Sequence, residues 1–448
     1  MLVMESGQQS ADVLHVAPAW RQTALPTQRG IPRLSCLQHA PLLFWQLPPP
    51  ASAMSGGSQQ LFENEKLGGK ERRFVAFATR ELSRHLRRLD LSAKAHGWPP
   101  SKLSLPEDQA IFRFALWRKE LTHATAKRTL LELALPGPVR PRSLPDAVLA
   151  TELAREVAIE FGKTPVDIAA NKHSFPTWLA EAINASAPPG ELEAVLEALN
   201  REPFMTFRAR PPGSRAELLE LARADGYQLV ACDQPPDALQ VSDERRAIFD
   251  SRWMKEGRLQ VMDLGSQQLA ALCRPTEGQT VVDYCAGAGG KTIYLADAVG
   301  PKGRVYAWDN SPKRLKEAKQ RVGELKLRHV SFPLEPRLDL ADLVLVDAPC
   351  SGTGTLGREP DQKWKLSKDA ITEFAETQRE ILEKVAGALK PGAVLVYGTC
   401  SVLREEDEAV VEAFLTKHPE FSLDGPMLRV WPHQIDGGGF FGARLLKR

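Results

Sequence analysis

VVDYCAGAGGKT, residues 281–292, begins with β-branched residues, passes an acidic residue and runs through a glycine-rich turn into helix-forming residues. A strand that ends in such a turn lets backbone approach a ligand closely, and the next helix offers free N–H groups in its first turn. The same pattern serves plain strand-to-helix packing, so alone it establishes only local structure. Working outward, the pattern recurs. GRVYAWD (303–309), ADLVLVDAPC (341–350) and GAVLVYGTC (392–400) are short apolar runs ending in small or acidic residues. Helical stretches such as SPKRLKEAKQRVGELK (311–326) and ITEFAETQREILEKVAGALK (371–390) separate them. Strands apolar on both faces belong in a parallel sheet covered by helices. The chain is therefore α/β from about residue 255 onward.

The turn's spacing narrows the ligand. Gly287, Gly289 and Gly290 form G-x-G-G, which is neither the G-x-G-x-x-G of dinucleotide sites nor a phosphate loop. The next predicted strand ends in Asp309, 22 residues after Gly287, where an acidic side chain can accept hydrogen bonds from ribose hydroxyls. Asp309 before Ser-Pro is also a plausible helix cap. Residue type and position together favour an adenosine-bearing cofactor. S-adenosylmethionine has no pyrophosphate to cradle and tolerates this looser turn better than a dinucleotide does.

Cys350 and Cys400 each lie just past the carboxyl end of a predicted strand, and those strands are successive. Ligands of open parallel sheets bind outside the carboxyl ends, and sequential strands are commonly neighbours, so both thiols are expected at the cofactor crevice. A thiolate is a strong nucleophile. Added to C6 of a pyrimidine, it activates C5 for methylation, and a second thiol can assist release. Asp347, three residues before Cys350, is placed to bond the base as a protonated carboxyl or to line the cofactor site. Cys36, Cys232 and Cys273 read as inert fillers, and Cys285 belongs to the turn's backbone packing.

The 448 residues allow two or three domains. A hydrophobic fraction of 43%, a charged fraction of 25% and a net charge of +2 are those of a globular chain that is not a polycation. Charge is uneven, however, with 14 Lys or Arg against 6 Asp or Glu from Lys70 to Arg128. No apolar run is long enough to span a bilayer, so no membrane is expected. Six scattered cysteines without Cys-x-x-Cys spacing exclude a disulfide framework and a zinc site of that pattern, and suit a reducing cytoplasmic setting. Residues 1–55 read as a disordered or non-native extension, either a transit-like peptide or, as the Arg residues lacking an amphipathic helical pattern favour, chain placed ahead of a start at Met54. Apolar steps of three and four make 71–187 an all-helical domain, and helix–strand alternation over 191–255 makes a small α/β module. Residues 256–448 hold the large sheet.

Residues from about 195 to 448 resemble the Nop/Sun/RsmB family of RNA 5-methylcytosine methyltransferases. The motifs CAGAGGKT, WDNSPKRL, DAPCSGTGTLGREPDQKW, YGTCSVLREEDEAVV and DGGGFFGARLLKR stand in that family's order. FPTWL and LNREPFMTFR are similar to its upstream landmarks. The resemblance implies a Rossmann-like S-adenosylmethionine methyltransferase sheet with an N-terminal all-helical domain and a small α/β module. It also implies Cys400 as nucleophile and Cys350 as helper in release, whereas DNA cytosine methyltransferases use the Pro-Cys thiol. Cys285, Ala286, Gly287, Ala288, Gly289, Gly290, Lys291, Asp309 and Asp347 would contact the cofactor.

Three positions depart from the family pattern. Ala288 replaces a proline, Arg208-Ala209-Arg210 replaces Arg-Val-Asn, and the usual adenine-contacting aspartate after the third strand has no counterpart except Asp339.

Chemistry at C5 requires an unstacked base. Lys363, Trp364 and Lys365 are candidates for stacking and phosphate contact, with packing as the competing role of Trp364. Arg72, Arg73, Arg84, Arg87 and Arg88 are candidates for a longer RNA track. The expected substrate is small-subunit ribosomal RNA, with transfer RNA second, and the expected protein is a metal-free monomer. A noncatalytic RNA-binding assembly factor and a nicotinamide oxidoreductase are the readings from other classes.

Overall fold

The computed structural model describes residues 69–97, 113, 115–117, 157–211, 213–241 and 247–448. The expected extension over 1–55 and Cys36 lie outside the described residues, as do the side chains of Arg72 and Arg73. The chain divides into two compact units between Lys163 and Thr164. In the first, helix α1 (Gly69–Ala95) buries Leu82, Leu89 and Ala93 along one stripe. Arg84, on the opposite side of the helix from this stripe, is also buried, 3% exposed and paired with Glu81, so it does not belong to a surface RNA track.

The second unit opens with helices α2 (Pro165–Lys172), α3 (Thr177–Ser186) and α4 (Leu192–Leu199). The expected helical domain over 71–187 is thereby divided. Phe175, Leu179, Ile183, Val195 and Leu199 share a core with Leu356, Ile371, Val402, Leu403 and Trp431 from the C-terminal part of the chain. Apolar surface found a distant partner, and periodicity does not encode which one.

The small module is a four-stranded antiparallel sheet of β1 (Thr206–Ala209), β2 (Leu229–Ala231), β3 (Ala238–Val241) and β4 (Leu259–Val261), in the order β2-β3-β1-β4. Helix α5 (Arg215–Ala224) follows β1 and adds Leu218 and Ala222 to its core. The expected helix–strand alternation is present as α4, β1, α5 and β2. What the sequence does not register are β3 and β4, because ALQV and LQV are too short and mixed to read as strands, and β4 lies beyond the expected boundary at 255.

After α6 (Leu264–Leu272), the large sheet assembles from β5 (Thr280–Asp283), α7 (Gly290–Val299), β6 (Arg304–Ala307), α8 (Pro312–Glu324), β7 (Val330–Ser331), β8 (Leu343–Asp347), α9 (Lys368–Ala388), β9 (Val394–Thr399), α10 (Glu408–Lys417), β10 (Phe421–Leu423), β11 (Leu428–Val430) and β12 (Phe440–Lys447). The order is β10-β12-β9-β8-β5-β6-β7, with β11 paired to β12. Strands β9, β8, β5, β6 and β7 run parallel, and β12 returns antiparallel to β9. Alternate residues face opposite layers. Val282, Val344, Val346 and Leu395 pack against α9 and α10, while Val281, Leu343, Leu345 and Val396 meet α6 and α7. This is the expected Rossmann-like α/β architecture.

Charge joins the small module to the sheet domain. Arg210 grips Asp297 of α7 through Nε and Nη2, both at 2.8 Å, and Arg208 pairs with the same carboxylate. The Arg208 guanidinium lies 4.7 Å from the Tyr294 ring centre and donates to Gln260 at 3.0 Å. Gln260 in turn donates to the Gly290 carbonyl at 2.7 Å, at the head of the glycine turn. The departure at 208–210 is thus explained as two arginines matched to one aspartate. Asp297→Ala leaves two buried cations without their anion and should destabilise the unit by about 3–5 kcal/mol. A urea unfolding midpoint within error of the wild type would contradict this.

Candidate active site

The strand order reverses at β5, which lies between β6 and β8, so the crevice opens at the carboxyl end of β5. There the chain turns through Gly287 (φ +52°) and Gly289 (φ +81°) into α7. A Cβ on Gly289 would stand 3.0 Å from that of Ala318, in a left-handed backbone that disfavours side chains. Asp309 Oδ2 accepts from the Gly287 N–H at 2.8 Å, and Oδ1 accepts from the Ser311 N–H at 2.8 Å. The helix cap expected at Asp309 falls on Ser311, whose side chain accepts from the Arg314 N–H, while each Asp309 oxygen can still accept a second hydrogen bond.

The residues at the turn fit an adenosine-bearing cofactor on two counts. A Cβ on Gly287 or Gly290 would meet nothing within 4 Å, so open space lies against the backbone. Asp283, at the base of the turn and 1% exposed, accepts from Thr292 Oγ1 at 2.6 Å through Oδ2, while its Oδ1 has no partner among the described residues. Lys291 Nζ lies 2.7 Å from Asp347 Oδ2 and ties the turn to the end of β8. Burial works against the Lys291 ammonium, but the field and hydrogen bond of Asp347 outweigh it and hold its pKa above the ordinary lysine value.

Parallel pairing of β8 with β9 sets Asp347 opposite Gly398, so the two following loops leave the sheet side by side. Cys350 Sγ and Cys400 Sγ are 3.3 Å apart as free thiols. The Gly354 N–H donates to the Cys400 carbonyl at 2.9 Å, and the Gly439 N–H donates to the Gly354 carbonyl at 2.8 Å. A Cβ on Gly354 would stand 2.1 Å from the Gly439 oxygen, so only glycine allows this approach. The hydrogen bond with Cys400, reinforced by burial, holds the Cys350 thiol well above the ordinary cysteine range.

Other expected residues fall elsewhere. Asp339 sits in the turn before β8, at the amino end of the sheet, exposed and paired with Arg337, and is no substitute for an adenine contact. Lys363 is fully buried, donating to Asn200 Oδ1 at 2.8 Å and lying 4.3 Å from the Phe175 ring centre, so it offers nothing to phosphate. Trp364 is half-buried beside it, and Lys365 pairs with Asp361 at 2.5 Å. Sequence reasoning passed over Glu406, Asp263 and Asp283. Asp263 caps α6 and also holds the Gly438 N–H at 3.0 Å. Among the described residues no helix is long and apolar enough to cross a membrane, and no group of three or more His, Cys, Asp or Glu side chains could hold a metal ion.

A family model of 16S rRNA methyltransferases RsmB/F matches residues 270–446. Ribosomal RNA small subunit methyltransferase B of Cronobacter sakazakii is 34% identical over 287 residues, covering 61% of this chain and 66%, just under two thirds, of the relative. The protein of that name from Yersinia enterocolitica is 34% identical over 316 residues, covering 66% of this chain and 73% of its own. The crystal structure of PH0851 superposes with a TM-score of 0.71 at 25% identity, covering 93% of this chain and 99% of that one. NSun6 from Pyrococcus horikoshii with SFG shares the fold, at a TM-score of 0.53 and 19% identity over 61% of this chain and 98% of its own.

Burial pushes the Asp283 carboxyl up to about 7 against the opposing hydrogen bond from Thr292. The folded protein then holds this proton more tightly than the unfolded chain, so the stability contributed by Asp283 falls as pH rises from about 4 to about 7. Asp283→Asn has no proton to lose. Its stability relative to wild type should rise across that window by up to several kcal/mol, measured by urea unfolding at stepped pH. A difference that stays constant across the window would refute the shift.

Proposed function

This chain belongs to the 16S rRNA methyltransferase RsmB/F family, and from that premise we propose that it methylates C5 of a cytosine in small-subunit ribosomal RNA, with Cys400 as nucleophile. The observation that carries this reading is the 3.3 Å separation of two thiols at the carboxyl ends of adjacent parallel strands. A lone thiol can attack a base. Two in contact can divide attack from release.

The backbone from Cys285 to Gly290, with Asp309 and the Lys291–Asp347 pair, is the set that would hold S-adenosylmethionine. Bound there, it supplies an electrophilic methyl group. Cys350 keeps its proton because its thiol is held well above the ordinary range. Cys400, in the Thr-Cys position, is taken as the attacking sulfur from the family resemblance, with the Cys350 thiol in contact at 3.3 Å. The Cys400 thiolate adds to C6, and a proton reaches N3, leaving electron density at C5 for methylation. A base then takes the C5 proton, the C5–C6 double bond re-forms as Cys400 departs as a thiolate stabilised by the Cys350 S–H, and N3 gives back the proton it took, leaving neutral 5-methylcytosine.

Purified protein, S-adenosylmethionine and a small-subunit ribosomal RNA transcript, followed by bisulfite sequencing, test this reading. One cytosine should become protected, and Cys400→Ala should lower the rate by about a thousandfold or more. Cys350→Ala should retain attack but accumulate a protein–RNA complex that survives denaturing electrophoresis. Retained methylation in Cys400→Ala, or adduct formation that needs Cys350 instead, would reverse the roles.

A further inference from the structure

Ser351 and Ser401 directly follow the two cysteines, and both point into one buried carboxylate. Glu406, fully buried, accepts from the Ser351 N–H at 2.8 Å and Gln378 Nε2 at 3.2 Å through Oε1, and from Ser351 Oγ at 2.5 Å and Ser401 Oγ at 2.7 Å through Oε2. No ion pair to Glu406 is present among the described residues. Thr353 closes the ring, its Oγ1 lying 3.0 Å from Ser401 Oγ and accepting from the Val402 N–H at 3.1 Å. Gln378 of α9 also donates to the Pro349 carbonyl at 3.0 Å, just before Cys350. The next residue, Asp407, accepts from Thr399 Oγ1 at 2.5 Å, just before Cys400. Both cysteine loops are therefore anchored on either side of the sulfur, and Glu406 is, among the described residues, the one carboxylate that receives donors from both.

A buried carboxylate without a cation is costly unless every lone pair is used, and an apolar side chain would fill the same space at less cost. What such a network confers is geometry. The loops are tied directly by the Gly354 N–H on the Cys400 carbonyl and by Thr353 with Ser401 and Val402. The three hydrogen bonds that Ser351 and Ser401 make to one rigid carboxylate, itself held by Gln378, add the constraint that fixes their separation. We propose that Glu406 is a positioning residue of the two-thiol centre, joining the Cys350 loop to the Cys400 loop and setting the distance between their sulfurs. The consequence for catalysis rests on the function proposed above; the consequence for geometry does not.

Two measurements separate these. The first is the rate at which a stoichiometric amount of the two-electron oxidant diamide converts the two thiols to a disulfide, itself reduced to the hydrazine; this rate reads sulfur proximity without RNA. The second is methyl transfer, with kcat and the RNA KM determined separately. Glu406→Gln keeps the shape but replaces an acceptor with a donor. It should slow disulfide formation and kcat together by about ten- to a hundredfold, leave the RNA KM within about twofold, and accumulate the covalent RNA complex expected of Cys350→Ala. Ser401→Ala, which removes one arm, should show a smaller loss of the same kind, and it carries the test if Glu406→Gln fails to fold. Unchanged disulfide formation in the folded variants overturns the proposal, even where kcat falls. Absence of methyl transfer in the unaltered protein would instead defeat the proposed function, and the disulfide rate would still decide the role of Glu406.

Discussion

The in-register parallel pairing of β8 with β9 is the constraint on which the rest of the site depends. Leu343 faces Val394 at one end and Asp347 faces Gly398 at the other. A slip of one residue would turn every side chain of a strand to the opposite layer. Because both strands are buried on both faces, such a slip would set Val344, Val346 and Leu395 against the wrong helices. Hydrophobic burial therefore specifies where the loops begin, and only then do Cys350 and Cys400 come within contact distance.

Electrostatics completes the arrangement across the switch point. Lys291 lies on the helix after the glycine turn and Asp347 ends the neighbouring strand, so their ion pair spans β5 and β8. The Gly290 carbonyl of the same turn is held from outside by Gln260 of the small module, which Arg208 and Arg210 lock onto Asp297. A module remote in sequence thus supports the proposed cofactor cradle without entering it. The terminal glycines 437–439 perform the corresponding service for the Pro-Cys loop, since Gly439 and Gly354 approach more closely than a side chain would allow.

The polar interior beneath the cysteines follows a different logic from the surrounding core. Ser351, Thr353, Ser401, Glu406 and Asp407 are all buried between aliphatic layers. Burial drives the Asp407 carboxyl well above its usual range, opposed by Arg429 at 2.6 Å. Such groups are retained where direction matters more than cohesion, because hydrogen bonds constrain angles that dispersion leaves free.

Much of this was legible in the residues alone. Apolar runs ending at Asp283, Asp309, Asp347 and Thr399 specified parallel strands, and the placement of Cys350 and Cys400 after two of them specified a shared edge. Local rules of strand termination and glycine conformation suffice for that. The donor set around Glu406, the burial of Arg84 and Lys363, the transfer of α2–α4 to the sheet's own unit and the location of Asp339 at the amino end of the sheet were not legible. Each depends on which distant surface a side chain meets. Periodicity shows that a face is buried, but the partner is selected by packing over the whole chain, where a lysine can be satisfied by an asparagine 163 residues away.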